Sequence, residues 1–465
     1  MAKTRFNLKY ITGISLVAAL GGLLFGYDWV VIGGAKPFYE QFFHIARNPS
    51  LQGLAMSSAL VGCIFGTIIS GFLAGRFGRK KLLILASILF LISAAGTGAS
   101  DYFSTFIAYR VLGGMGIGLA SNLSPVYIAE IAPASMRGRF VAVNQLTIVI
   151  GILLAQIVNW IIAEPVPDAA SGEFILSSWN GQTGWRYMFW AEAAPASLFF
   201  LCMWVVPESP RWLIKGGRSE KARSILNRIG GEIYSRDTSR EIEASLYSEN
   251  RKLKPLSILN KSIFPVVLIG VVLALFQQWC GINVIFLYAE EVFSAAGYAI
   301  SDMLFNVMIT GSVNLIFTLL ALSLVDRIGR KKLMLIGAGG LALIYSIVGT
   351  LYFTGSSGLP LLIFVVAAIA CYAMTLAPVT WVVLSEIFPN KVRGAAMAVA
   401  TFALWTGNFL LAYFFPLINS KINAWGSFWM FTLICIMGFF YIKARLIETR
   451  GKSLEEIEKV LYKKQ

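Results

Sequence analysis

Charge is scarce in this sequence. Only 14% of its 465 residues are Asp, Glu, Lys or Arg, against 57% hydrophobic ones, and mean hydropathy is +0.71. A soluble chain of this length could not hide so much apolar surface, so a polytopic membrane protein is expected. Histidine is nearly missing: His44, in a connecting stretch, is the single one, which removes histidine clusters from the options. Cys63, Cys202, Cys280, Cys371 and Cys435 all fall within apolar runs, so neither a disulfide framework nor a metal cluster is indicated. No phosphate loop and no nucleophile–base set is present, so no cofactor is expected, nor an enzyme or a nucleotide-driven pump. The first apolar run is too long for a cleavable signal and lacks a small-x-small exit.

Acidic residues are the rarer sign, 24 against 39 Lys and Arg, giving a formal charge of +15. The excess sits in short runs between apolar segments. That is a positive-inside pattern, which needs no nucleic-acid partner. Apolar segments fall at roughly 10–34, 51–74, 82–99, 104–132, 140–163, 186–206, 263–290, 301–325, 333–354, 360–388, 394–418 and 424–446. Twelve spans put both termini on one side. The basic stretches Arg76–Lys81, Arg137 with Arg139, Arg327–Lys332 and Lys391 with Arg393 share that side, which is predicted to be the cytoplasm. The stretch 163–185 reads as an irregular outer excursion. The polar stretch 207–262 reads as a cytoplasmic helical linker between a first half (1–206) and a second half (263–446). In the tail 447–465, Ser453–Tyr462 opens on a capping box, Ser453 with Glu456, and is predicted to be an amphipathic helix.

The halves repeat. Gly75-Arg-Phe-Gly-Arg-Lys-Lys81 is answered by Asp326-Arg-Ile-Gly-Arg-Lys-Lys332, and Glu130-Ile-Ala-Pro with Arg137-Gly138 by Glu386-Ile-Phe-Pro with Arg393-Gly394. Two motifs recurring at nearly one offset are the signature of a parallel duplication, with a substrate site between the halves near the midplane. Arg76, Arg79, Glu130, Arg137 and Glu208 in one half, and Arg327, Arg330, Glu386, Arg393 and Glu448 in the other, cluster at cytoplasmic helix ends. Pairing across those ends is expected to close the inner face in one conformation and to break in the other. Plain topology anchoring by positive charge is the alternative reading.

Asp28 is the only charge from Tyr10 to Ala35. A carboxylate inside a span is costly and calls for a partner. Counted from Lys36 on the first segment and from Asp101 before the fourth, Asp28 and Arg110 lie about 12–14 Å below the outer helix ends, at matching depth. They are the natural pair, with Glu192 in plausible reach. Either a functional centre or a static ion pair fits. Gln277, Gln278 and Asn283 in FQQWCGIN, Asn314 and Gln145 supply amides that both donate and accept hydrogen bonds, although amides in spans also serve as helix–helix glue. Gln277 and Asn283 are offset by about 120° on an ideal helix. A bend at Gly281 is predicted to bring them to one cavity.

The repeated motifs, with Pro207-Glu-Ser-Pro-Arg-Trp-Leu213 and Glu448-Thr-Arg-Gly-Lys452, resemble the sugar porter family of the major facilitator superfamily over nearly the whole chain. The pattern is nearest that of bacterial xylose and hexose proton symporters. The resemblance implies an all-α membrane protein of twelve transmembrane helices in two six-helix halves with a cytoplasmic helical linker. It implies a monosaccharide and a proton as substrates, the bilayer of a bacterial inner membrane as surroundings, and a chain that works as a monomer. Asp28 would carry the proton, with Arg110 and Glu192 beside it. Gln145, Gln277, Gln278, Asn283 and Asn314 match sugar-binding positions, Trp381 and Trp405 match wall tryptophans, and Phe25 matches a cavity aromatic. The chain departs from the pattern at Gly75, where the second half has Asp326, and at Ile447, a usual proline. In the cavity it departs at Leu287, a usual tyrosine, at Leu404, a usual Gln or Asn, and at Ala377, a usual glycine. A facilitative sugar uniporter and a transporter-like sensor share the fold and stand as alternatives.

Overall fold

A computed structural model describes residues 6–167, 170–249, 263–356, 358–388 and 392–450. The apolar segments fold as helices because, in hydrocarbon, each backbone N–H must find its carbonyl within its own segment. The N-terminal half comprises α1 (Leu8–Phe42), α2 (Pro49–Phe77), α3 (Arg79–Gly98), α4 (Phe103–Ile131), α5 (Arg137–Ile162) and α6 (Asn180–Val205). The C-terminal half comprises α7 (Phe264–Leu287), α8 (Ile300–Ile328), α9 (Arg330–Phe353), α10 (Leu359–Ile387) and the 53-residue run Arg393–Arg445. That run turns at Asn423, where φ is 58°, and so divides into α11 and α12. Each half packs mainly against itself, α1 on α4 and α5, α2 on α4, α9 on α12. Large side chains such as Phe72, Leu201, Leu343 and Phe440 point outward and stay exposed, an apolar belt suited to lipid.

Three boundaries differ from the sequence reading. The first helix runs on past Ala35 to Phe42 and buries Lys36. The stretch 163–185 contains a short helix, Gly172–Ser177, and α6 begins at Asn180 with a π-helical turn. The linker is helical at Pro210–Lys215 and at Ser219–Glu249, with a turn at Gly231. It docks on the N-terminal half, where Trp212 Nε1 donates to Gly75 O at 2.9 Å and Asn7 N to Ile229 O at 2.8 Å. Residues 250–262 and the predicted tail helix lie outside the described residues. The face carrying this linker is called the linker face below.

On that face the duplication is visible atom by atom. The first turns of α3 and α9 follow Gly78 (φ 88°) and Gly329 (φ 101°), left-handed positions that favour glycine. Glu208 accepts from Arg79 N at 3.0 Å and Lys80 N at 3.1 Å; Glu448 accepts from Arg330 N at 2.9 Å and Lys331 N at 3.1 Å. Each carboxylate meets the unsatisfied N–H groups and the positive end of a helix. Ser209 Oγ donates to Glu130 and Thr449 Oγ1 to Glu386, both at 2.5 Å. Arg79 pairs with Glu130 at 2.7 Å and Arg330 with Glu386 at 3.1 Å. Among the described residues, every ion pair on this face closes within one half, and none joins the two halves. Arg76, Arg137 and Arg327 are exposed, and the Arg393 side chain lies outside the described residues.

Burial pushes the Glu448 carboxyl up, but backbone N–H bonds from Arg450, Arg330, Lys331 and Thr449 outweigh it and hold the group below the ordinary glutamate value. A group depressed in the folded state stabilises fully above its unfolded pKa and loses that contribution as pH falls through the lower folded value. Glu448→Ala is expected to cost about 0.5–2 kcal/mol, the usual range for a lost cap. Glu448→Gln should cost less, because it keeps an acceptor. Apparent melting midpoints in detergent should rank parent, then Gln, then Ala at neutral pH, and converge in acid; equal midpoints at neutral pH would remove the capping role.

Candidate functional site

Asp28 lies mid-helix on α1, and its side chain is completely buried. Arg110, on α4, reaches across with Nη1 donating to Asp28 Oδ1 and Nη2 donating to the Asp28 carbonyl at 3.1 Å. The α1 extension to Phe42 changes the depth count but not the pairing. By residue count, Asp28 is about 21 Å from its helix end and Arg110 about 10 Å from its own, so α1 simply projects further. A Cβ at Gly113 would stand 2.7 Å from Asp28 Oδ2; the bare glycine leaves room for the carboxylate. Phe189 lies under the guanidinium at 5.5 Å, within cation–π range.

Glu192 completes the centre. It sits at the interruption of α6 between Trp190 and Ala193, is 1% exposed, and interacts electrostatically with both Asp28 and Arg110. Both its oxygens, together with Asp28 Oδ2 and Arg110 Nε, are buried without a hydrogen-bond partner. Two carboxylates and one guanidinium thus share an apolar volume with spare acceptor capacity. Buried charge is tolerated when paired, and a carboxyl left without a partner takes up a proton in preference to staying bare.

The second assembly is on α7. Gly281 adopts φ 96°, and the predicted bend occurs there. It lets Asn283 Nδ2 fold back onto Gln278 Oε1 at 2.7 Å and Gln278 O at 3.2 Å. Gln278 Nε2 approaches Gln277 Oε1 at 3.4 Å, and Gln277 Nε2 approaches the carbonyls of Leu376 and Ala377 at 3.5 and 3.4 Å. Those carbonyls lie just after Thr375, where α10 breaks. All three amides are at least 92% buried. Contacts of 3.4–3.5 Å are weak, so Gln277 can exchange them for a better acceptor. From the other half, Phe25 meets Trp405 at 5.7 Å. Leu287 and Leu404, the departures from the family pattern, are buried beside these elements. Asn314 is buried on α8 and Gln145 half-buried on α5, and no described hydrogen bond joins either to the α7 amides. Trp381 is partly exposed on α10.

One assembly escaped sequence reasoning. On the face opposite the linker, Lys36 is 2% exposed and its Nζ lies 3.1 Å from Glu40 Oε1, 2.8 Å from Glu290 Oε2 and 2.9 Å from Glu291 Oε1. Gln52 Nε2 donates to the other Glu40 oxygen at 2.8 Å. The i, i+4 spacing of Lys36 and Glu40 was the available signal; partners some 250 residues away left none.

A family model described as sugar (and other) transporter matches residues 14–461. The D-xylose-proton symporter of Escherichia coli K12 is 39% identical, covering 98% of this chain and 96% of that protein. The arabinose-proton symporter of Bacillus subtilis is also 39% identical over 98% and 96%. The inward-open structure of the xylose transporter XylE from E. coli superposes with a TM-score of 0.85 at 38% identity, covering 97% of this chain and 100% of that one. These matches run over nearly the full length, and the helical bundle superposes on the solved structure: the chain belongs to the sugar transporter family of major facilitator proteins.

Proposed function

We propose that this protein carries a monosaccharide, a pentose or hexose, together with a proton by alternating access. The observation that carries the reading is the Asp28–Arg110 pair with Glu192 beside it, buried and short of hydrogen-bond donors. Arg110 favours the Asp28 anion, while the apolar surroundings favour the neutral acid. Any movement of α4 against α1 changes that balance, so proton affinity follows conformation, which is the requirement for coupling. The amides of Gln277, Gln278 and Asn283, with Gln145 and Asn314, offer hydroxyl partners on both halves; Phe25, Trp381 and Trp405 supply apolar walls. The symporters among the relatives support the same reading.

The linker face is cytoplasmic in this reading, with both termini there, because it carries the basic loops. The chain acts as a monomer in a bacterial inner membrane. In the conformation described the opposite, outer face is closed. When the inner face closes, the helix-end clusters around Arg79, Glu130 and Arg137 meet those around Arg330, Glu386 and Arg393 and act as the latch. Arg76, Glu208, Arg327 and Glu448 flank or cap the same helix ends.

Three outcomes follow. Single Ala substitutions at Gln277, Gln278 and Asn283 should each weaken sugar binding about two- to tenfold, one hydrogen bond of about 0.5–1.5 kcal/mol apiece. Calorimetry against a panel of pentoses and hexoses reads this, and three unaffected variants would place the site elsewhere. Glu386→Arg should raise labelling of a cysteine introduced in the inner cavity, because the latch loses a pair; unchanged labelling leaves the cluster as topology signal only. Asp28→Asn mimics the protonated acid permanently, so gradient-driven accumulation should vanish while sugar–sugar exchange persists. Arg110→Ala, which strands the carboxylate, should impair both. A parent protein that only equilibrates sugar, at any imposed pH gradient, would make the chain a uniporter and Asp28 a structural partner of Arg110.

A further inference from the structure

We propose that Lys36, with Glu290 and Glu291, is an ion-pair lock that holds the outer face shut and must break each time that face opens. The proposal goes beyond the sugar and proton sites and rests on the alternating-access reading for its outer–inner assignment. Lys36 belongs to α1, in the N-terminal half; Glu290 and Glu291 begin Ala289–Ser294, the short helix that follows α7 in the other half. One ammonium thus joins the halves through two contacts under 3.0 Å. Glu40, one turn further along α1, holds the same ammonium, and Gln52 ties Glu40 to α2.

The surrounding contacts place the cluster at a closed seam. Gly33, one turn before Lys36, brings α1 so near α7 that a Cβ there would stand 2.8 Å from the Phe286 carbonyl. A Cβ at Gly53 of α2 would stand 2.1 Å from the Tyr413 carbonyl of α11. Val166 N donates to Ser301 Oγ at 2.9 Å, and Trp160 meets Phe305 at 5.9 Å. All of these contacts join one half to the other and lie outward of the Asp28 centre. A permanent staple at this seam would forbid access from outside, so these pairs have to be breakable. The side chains of Glu290 and Glu291 are 27% and 21% exposed against 2% for Lys36. Water therefore reaches the acidic side of the lock first.

The charge count gives the lock an asymmetry that a mere packing contact lacks. One cation faces three carboxylates, so losing one of them still leaves Lys36 paired across the seam. Losing both Glu290 and Glu291 cuts the link between halves while Lys36 keeps Glu40. Losing Lys36 leaves the carboxylates facing one another with no counter-charge, the costly way to break a buried pair.

The test is a distance measurement on the purified full-length protein, without sugar or gradient, so that it stands even where symport fails. Spin labels at Ser50→Cys and Ser294→Cys, exposed positions on the outer ends of the two halves, report opening. The parent and Glu290→Gln should give one short distance. Glu290→Gln with Glu291→Gln, and separately Lys36→Met, should add a longer distance, raising the open-to-closed ratio about tenfold or more. Lys36→Arg should restore the short one. The double Gln variant keeps Lys36 paired, which guards against loss of folding. A double variant that elutes like the parent yet stays closed, or a single Glu290→Gln change that opens the face as widely as the double one, overturns the proposal.

Discussion

A charge placed among apolar helices costs several kcal/mol even after relaxation, and the N-terminal half is arranged to meet that cost once. Asp28 and Arg110 neutralise each other, and the guanidinium spends a second arm on the Asp28 carbonyl. Gly113 makes room for the carboxylate, and Phe189 covers the guanidinium. Three helices, α1, α4 and α6, supply Asp28, Arg110 and the flanking Phe189 and Glu192, and α3 packs beside them. Ser93 of α3, for example, packs against Gly113. Glu192 makes no described hydrogen bond to the Arg110 guanidinium, whose Nε is also without a partner, so the centre is not a finished ion pair.

The proposed sugar site is built on backbone irregularity. A straight α7 would point Gln277 and Asn283 to different sides; the left-handed Gly281 turns the helix so that Asn283 bonds back to Gln278. Gln277 in turn approaches the carbonyls of Leu376 and Ala377, in the turn that restarts α10 after Thr375. Non-helical backbone at membrane depth is tolerated only where protein or a cavity receives its polar groups. Here Asn283 Nδ2 receives the Gln278 carbonyl, and the proposed site offers a hydroxyl-bearing ligand a network already made of donors and acceptors.

Much of this was legible in the residues. Twelve spans, the duplicated helix-end motifs, the Asp28–Arg110 pair and the bend at Gly281 all followed from hydropathy, charge and glycine placement. What stayed hidden has one physical cause: partners distant in sequence. Lys36 read as a helix end because a lone lysine does end a span unless carboxylates receive it, and two of its three come from the other half. The acids at 130, 208, 386 and 448 were rightly placed at helix ends. Motif spacing carries no information on whether they pair across halves or cap the N-terminus of a neighbour, as Glu208 and Glu448 do. Likewise, Gln145 and Asn314 were grouped with the α7 amides by family pattern, and no described hydrogen bond links them.

The kinds of contact differ by what they must survive. Within each half, helix ends on the linker face are tied by carboxylates that accept two or more backbone N–H groups and by hydroxyls bonded to Glu130 and Glu386. Such bonds involve nothing from the other half and persist through any rigid-body rocking. Between the halves, the seam combines glycine-mediated helix approach, the Val166–Ser301 hydrogen bond, the Trp160–Phe305 contact and one lysine among carboxylates. Glycine contacts supply close packing but no directional bond, so separation sacrifices little beyond dispersion. The ion pairs regain hydration as they part, because Glu290 and Glu291 already touch water. A two-state machine needs interfaces that switch between discrete arrangements, and this chain keeps its helix-end caps within the halves and its lysine cluster at the seam between them.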